Sequence, residues 1–386
     1  MIALTAATLL TPMERIDQPL LLIEDGVIRR LGTRANSEIP ANCRIVDLQD
    51  AILAPGLIDI HIHGGAGHDI MEANAEALPA LERLLVCHGV SSYFPTTVTA
   101  PLEATLAALE RLAAAVESAQ EDPVDELRAV PLGIHLEGPF ISHTRRGVHP
   151  AQDLLPPTVQ TFGRFWQAAR GHIRIMTIAP ELPGAPEVIA EAARRGVCVS
   201  LGHSNADLNS TRAAVTAGAR HATHTFNAMR PLSHRDPGIL AEVLTDSRVS
   251  ADIIADGVHV DPAVVELFLK AKGADAAVLI TDATAATGMP EGRYRLGSCE
   301  VEVKDGRSLI DGKLAGSILT MDRALRNVMQ YAHWDLQNAL RLATVNPARV
   351  AGFNNHGEVK EGAPADLVVL GPKGEVRKTI VRGAGI

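Results

Sequence analysis

The stretch Leu57-Ile58-Asp59-Ile60-His61-Ile62-His63-Gly64 sets two imidazoles two residues apart in an apolar run. In an extended strand, residues i and i+2 point to one face, so His61 and His63 face the same way. A lone histidine in such a place is more often a satisfied core side chain. Two on one face, with Gly64-Gly65 following, fit a shared cation better, because a neutral imidazole is a good ligand and costly to bury unpaired. Two ligands do not make a site. The reading therefore requires further histidines or carboxylates at comparable positions elsewhere.

They exist. Glu137 ends the run AVPLGIHLEG, His203 ends GVCVSLGHS, His224 lies in ARHATHTFN and Asp282 in AAVLITDAT. Buried acids are rare unless paired or metal-bound, and a His/Glu/Asp set without thiolate suits zinc, iron(II), manganese or cobalt. Asp59 shares the face of His61 and reads as an orienting neighbour of a ligand. His221, three residues before His224, reads as a surface or strand-start residue.

The elements that must carry these groups recur. Aliphatic runs fall at 57–64, 89–97, 129–138, 173–181, 196–204, 219–227, 249–257 and 276–284, separated by helix-like segments such as PLEATLAALERLAAAVESAQ and PEVIAEAARRG. Eight strand-helix units predict a TIM-like (β/α)8 barrel, in which functional groups gather where the strands end. An open doubly wound sheet is the runner-up, but no G-x-G-x-x-G follows an early strand. Both chain ends read as β. MIALTAATLLTP reads as a strand, PLLLIEDGVIRRLG as a hairpin about Asp25-Gly26, and ADLVVLGPKGEVRKTIVRG as strand, turn, strand. The termini are thus expected to pair into one small β domain, giving segments 1–52, 53–354 and 355–386.

Composition narrows the function. The 386 residues carry a net charge of -9 and only 3% aromatics, which argues against a nucleic-acid partner. Any anionic ligand needs a local basic pocket. Cys43, Cys87, Cys198 and Cys299 are scattered with no C-x-x-C, which reads as reduced thiols. No run approaches the ~20 apolar residues of a membrane span, and the opening lacks a basic leader, so the expected location is the cytoplasm.

The sequence resembles the amidohydrolase superfamily, and within it the N-acetylglucosamine-6-phosphate deacetylases, over nearly its whole length. PGLIDIHIHG, GIHLEGPFIS, TIAPE, SLGHSNAD, ATHTFNAMRPLSHRDPG, ADGVHV and LITDATAATGMPEG carry the resemblance. HLEGP, HTFNAM and DGVHV together mark the deacetylase branch, whereas H-x-H is shared with dihydroorotases and deaminases. The resemblance implies a β-sandwich at the termini and Glu137 as a carboxylate shared by two ions, in place of a carboxylated lysine. Some members replace the first histidine pair with Gln and Asn and keep one metal; the retained His61 and His63 imply room for two. It also implies zinc as the first choice, Asp282 as ligand and general acid/base, and His149 as the donor to the substrate carbonyl. Asn227, Ala228, Arg235 and His259 become substrate binders, with Arg235 and His259 near a homodimer boundary. The expected substrate is N-acetyl-D-glucosamine 6-phosphate. Its galactosamine epimer, another amidohydrolase reaction such as deamination or cyclic-amide opening, and a non-enzymatic scaffold are the alternatives. Arg145 and Arg146, with Gly147, read equally as a loop over the site and as a solvated loop.

Overall fold

The computed structural model describes residues 1–74, 76–121 and 126–386. The eight aliphatic runs form parallel strands: Leu57–Ile62, Val90–Thr97, Ile134–Glu137, Ile173–Ile178, Cys198–Leu201, His221–Ala222, Ala251–Ile254 and Ala277–Ile280. They are buried on both faces, which is why they read as continuous apolar runs and not as alternating ones. The first six belong to one curled sheet, in which the second strand lies between the first and third and the order then follows the chain. The seventh and eighth pair with each other.

Separate hydrogen bonds connect these two sheets. The amides of Ala222 and Thr225 donate to Ser250 and Asp252 carbonyls at 3.0 and 2.9 Å, and the amides of Asp282 and His63 donate to the His61 and Ala283 carbonyls at 2.9 and 2.8 Å. The coarse architecture is therefore a curled parallel sheet covered by helices.

Each strand is followed by a helix: Ala77–Cys87, Leu102–Glu121, Val159–Ala168, Ala185–Arg194, Leu208–Ala217, Gly238–Thr245, Pro262–Ala276 and Met321–Ala332. Thr158, Asp207 and Asp261 cap three of them by accepting first-turn amides. The helices bury Leu85, Leu112, Phe162, Val188 and Phe268 against the strands in one continuous apolar core.

The chain ends build two further sheets. One orders Val27–Thr33, Pro19–Glu24, Ile2–Thr5 and Arg44–Asp47. The other orders Val376–Ile380, Leu367–Leu370, Ile52–Pro55, Thr8–Leu10 and Arg15–Asp17, so strands from both termini share it. The Asp25-Gly26 hairpin forms as expected, with φ of 51° and 72° at the turn. The opening segment corrects the single-strand reading: Ile2–Thr5 and Thr8–Leu10 enter different sheets after a two-residue break. Leu4, Leu9, Leu21, Leu53, Val369 and Ile380 fill a core of their own.

One element was not anticipated. After the eighth strand, Gly292–Leu296, Cys299–Lys304, Arg307–Ile310 and Lys313–Leu314 form an antiparallel meander before the chain enters its helix.

Candidate metal and substrate site

His61, His63, Glu137, His203, His224 and Asp282 converge at the C-terminal ends of their strands, although up to 221 residues separate them in sequence. Glu137 is the hub. Its Oε1 lies 3.4, 3.3 and 3.1 Å from the Nε2 atoms of His61, His203 and His224, and its Oε2 lies 3.2 Å from His63 Nε2. Asp282 Oδ1 is 3.3 Å from His63 Nε2 and 3.8 Å from His61 Nε2. The three residues that must turn out of their strands here, His203, His224 and Asp282, have φ of 47°, 31° and 50°. The extended run expected over 219–227 stops at Ala222 for this reason: the backbone leaves the strand to aim His224 inward.

Proton placement tests whether the set fits a cation. His63 Nδ1 faces the Thr96 carbonyl at 3.1 Å and His203 Nδ1 faces the Arg145 carbonyl at 2.9 Å. A carbonyl only accepts, so both Nδ1 atoms carry hydrogen and the neutral rings present bare Nε2 lone pairs to Glu137. Lone pairs opposed to a carboxylate at these distances need positive charge between them. Two Nε2 pairs also stand close, His61 to His63 at 3.2 Å and His203 to His224 at 3.0 Å.

The balance of buried charge makes the same demand. Burial works against charge throughout the site, yet the neighbouring carboxylates hold His63 well above its ordinary value and His224 up at about 9. Burial opposes ionisation of the acids as well, but the histidines hold Glu137 well below the carboxylate range and Asp282 at about 2. His203 is pushed down to about 4 by burial. Two carboxylates kept ionised in a buried site, among imidazoles whose Nε2 atoms call for a proton or a cation, fit a divalent metal.

His149 is the exception in proton placement. The Thr99 amide donates to its Nδ1 at 3.3 Å, and the Thr99 hydroxyl lies 2.8 Å away. An amide only donates, so a neutral His149 carries hydrogen on Nε2, the atom 3.6 Å from Glu137 Oε2. Distance alone groups His149 with Glu137 and His203, as it groups His61 with His63 and Asp282. The tautomer instead makes His149 a hydrogen-bond donor. Gly138 makes room for this arrangement: with φ of 73°, a Cβ there would meet Thr99 Oγ1 at 2.2 Å.

These groups open into a cavity of about 400 Å³ also lined by Asn227, Ala228, His259, Arg145 and Lys313. His259 is held by Asp256 at 2.7 Å, and Asn227 Nδ2 is buried without a partner among the described residues. Ala228 adopts φ of 52° at the cavity wall. The Arg145-Arg146-Gly147 loop lies over the site, and Gly147 packs so close that a Cβ would meet the His203 ring at 3.3 Å. Arg235 does not join them: it is exposed and lies outside the cavity lining.

Two minor readings change. Asp59 is buried, but it accepts the His61 backbone amide at 3.2 Å and the Thr281 hydroxyl, so it fixes the backbone and not the ring. His221 does start a strand, but it is fully buried and bonded to Asp252, not at the surface. Sequence reasoning missed Leu296, Lys313 and Leu314, which the meander brings to the cavity.

Residues 52–385 match the amidohydrolase family. An N-acetylglucosamine-6-phosphate deacetylase of Bacillus subtilis (strain 168) is 37% identical over 377 residues, 97% of this chain and 94% of the relative. An N-acetylgalactosamine-6-phosphate deacetylase of Escherichia coli O157:H7 is 36% identical over 98% of each chain. The structure of a mutant N-acetyl-D-glucosamine-6-phosphate deacetylase from Mycobacterium smegmatis, in complex with N-acetyl-D-glucosamine-6-phosphate, superposes with a TM-score of 0.91 at 36% identity, covering 99% of this chain and 98% of the other.

Proposed function

This chain belongs to the amidohydrolase family, and from that premise we propose that it hydrolyses the acetamide of N-acetyl-D-glucosamine 6-phosphate to D-glucosamine 6-phosphate and acetate. The observation that carries the reading is the opposed ring placement: His63 and His203 bond carbonyls through Nδ1 and turn Nε2 to ionised Glu137, whereas His149 accepts an amide at Nδ1 and keeps a donor Nε2–H. His61, His63, Glu137, His203, His224 and Asp282 would hold one or two divalent ions, zinc first, with iron, manganese or cobalt as alternatives. A divalent ion there supplies Lewis acidity, bringing a water's pKa to near ~7 and polarising the acetamide carbonyl.

The protein's own groups do the rest. Asp282 takes the proton of the attacking water and returns it to nitrogen as the amine leaves. His149 donates to the carbonyl oxygen as negative charge develops on it. Asn227, the Ala228 amide and His259 receive the phosphorylated sugar, with the guanidinium of Arg235 supplied by a second copy in a homodimer. Arg145 and Lys313 add positive charge at a cavity in a chain of net charge -9.

We assign the architecture as a closed (β/α)8 barrel over 53–354, supported by the amide bonds that link sixth to seventh and eighth to first strands. A β-sandwich of 1–52 and 355–386 is supported by its separate apolar core, with strand Ile52–Pro55 at the junction. Among the described residues, no helix is long and apolar enough to cross a membrane; a cytoplasmic location accords with a phosphorylated substrate. The galactosamine 6-phosphate epimer is the second reading, favoured by the Escherichia coli relative. An acetate-release assay over N-acetyl sugars with and without 6-phosphate decides: acetate from the 6-phosphates alone supports the assignment, and ammonia release or no turnover refutes it.

A further inference from the structure

Beneath the histidine cluster lies a buried polar column that the proposed reaction does not use directly. Asp252, on the seventh strand, is its centre. Asp252 Oδ2 lies 2.9 Å from His221 Nε2 and accepts the Thr223 hydroxyl at 3.3 Å. Thr223 Oγ1 in turn lies 2.8 Å from His61 Nδ1. Asp252 Oδ1 accepts the backbone amide of His224. His61, His221, Thr223 and Asp252 are all fully buried, so none of these bonds competes with water. The column continues outward from His221 Nδ1 to Ser250 Oγ at 2.7 Å.

The proton count along this column has a consequence. Thr223 has one hydroxyl hydrogen, and a carboxylate can only accept it. With that hydrogen committed to Asp252, Thr223 Oγ1 must accept from His61, so His61 carries hydrogen on Nδ1 and presents a bare Nε2 to Glu137. Carbonyls perform this service for His63 and His203, but no carbonyl faces His61 Nδ1 among the bonds of the described residues. His224 has the complementary problem: its Nδ1 is buried without a partner among the described residues, so none of them orients its ring from behind. What fixes His224 is its backbone, held by the other oxygen of Asp252 while it adopts φ of 31°.

We propose that Asp252 is a positioning residue serving both halves of the metal site: through Thr223 it sets the tautomer of His61, and through the His224 amide it sets the approach of that ring. His221 Nε2 holds the same Asp252 oxygen from the far side. This rests on the metal reading above and would appear as affinity for the ion even if the substrate assignment were wrong. Groups that orient metal-binding histidines typically change metal affinity by ~10–100-fold when removed.

The test is chelator competition for zinc on the full-length protein, with thermal melting as a check on folding. Thr223→Val should weaken binding of one ion by ~10–100-fold, whereas Thr223→Ser, which keeps the hydroxyl, should stay within ~3-fold of wild type. Asp252→Asn should also weaken binding; if it does not fold, the Thr223 pair decides alone. Wild-type affinity in Thr223→Val overturns the proposal. Equal losses in the Ser and Val variants also overturn it, because they assign the effect to the lost shape of threonine. A wild-type protein that takes up no divalent ion overturns the metal reading itself and this inference with it; tight wild-type binding with an unaffected Val variant overturns this inference alone.

Discussion

Replacing Asp282 by asparagine separates proton transfer from metal holding. The Asp282 amide donates to the His61 carbonyl at 2.9 Å, and its own carbonyl accepts from Ser317 at 2.7 Å. Both bonds are backbone bonds, so asparagine can keep the conformation at φ 50°, a region that Asn tolerates. The side chain is 12% exposed and 3.3 Å from His63 Nε2, so shape and contacts change little. What changes is basicity. Against the cost of burial, the histidines hold this carboxyl at about 2, so it is ionised and free to accept a proton at pH 7, which an amide cannot do. Such a carboxylate is a weak base and depends on an acidified water for its partner. Loss of a positioned acid/base costs ~10²–10⁴-fold in kcat, about 3–6 kcal/mol at ~1.4 kcal/mol per tenfold. Substrate binding should be nearly unchanged, so kcat falls while KM stays close to wild type. The assay is steady-state acetate release beside elemental analysis of the same samples. If kcat stays within about tenfold of wild type, or added metal restores it fully, Asp282 is a ligand only and the proton-transfer argument fails.

Four other outcomes follow from the same structure. Loaded wild type should hold up to two divalent ions, and His61→Gln with His63→Asn should leave about one by elemental analysis; at most one ion in the wild type would contradict a bridging Glu137. Arg235→Ala should raise KM strongly for the 6-phosphate sugar and much less for the unphosphorylated one, with recovery in hybrid dimers carrying the lesion at Asp282 in the other copy; equal losses on both sugars refute the phosphate role. Lys272, buried, donates to the carbonyls of Val243, Asp246 and Val249; Lys272→Met should cost about 1–3 kcal/mol in urea unfolding, and an unchanged midpoint would show those carbonyls are otherwise satisfied. Burial raises Asp366 to about 6 against the Arg382 amide it accepts. Its folded-state pKa thus exceeds the unfolded ~3.9, and the stability it confers in acid is lost as pH rises from about 4 to about 6. Asp366→Asn should therefore raise Tm at pH 7 more than at pH 4; a uniform shift would remove Asp366 as the cause.

The site was legible in the sequence where chemistry and strand ends coincide. His61, His63, Glu137, His203 and Asp282 each stand at the end of an apolar run, and those runs became the strands that bring them together; His224 follows a strand of only His221–Ala222. What stayed hidden has identifiable physical reasons. Asp252 and Thr223 work on His61 across the sheet, through contacts 29 and 162 residues apart, and no local spacing encodes such pairs. Arg235 stands exposed and outside the cavity lining, so nothing in the fold of the single chain joins it to the other site residues. The meander over 292–314 is different, because its signal was present. Asp305-Gly306 and Asp311-Gly312 repeat the turn chemistry of Asp25-Gly26, with positive φ at all four residues, between alternating runs such as Cys299–Lys304. Position misled: the segment interrupts a strand-helix unit, where a loop is the default. Likewise the opening strand breaks at Ala6-Ala7 because its two halves serve different sheets, which an unbroken apolar run does not reveal.

The central claim is that this cluster of histidines and carboxylates makes the protein a metal-dependent deacetylase. The direct measurement is acetate release from N-acetyl-D-glucosamine 6-phosphate by the wild-type protein after exhaustive chelation, and again after reloading with zinc, manganese, cobalt or iron(II). Turnover should be near background in the stripped protein and recover with at least one of these ions, with acetate and glucosamine 6-phosphate formed in equal amounts. Full activity in protein shown by elemental analysis to be metal-free, or no acetate at any loading, would contradict the claim.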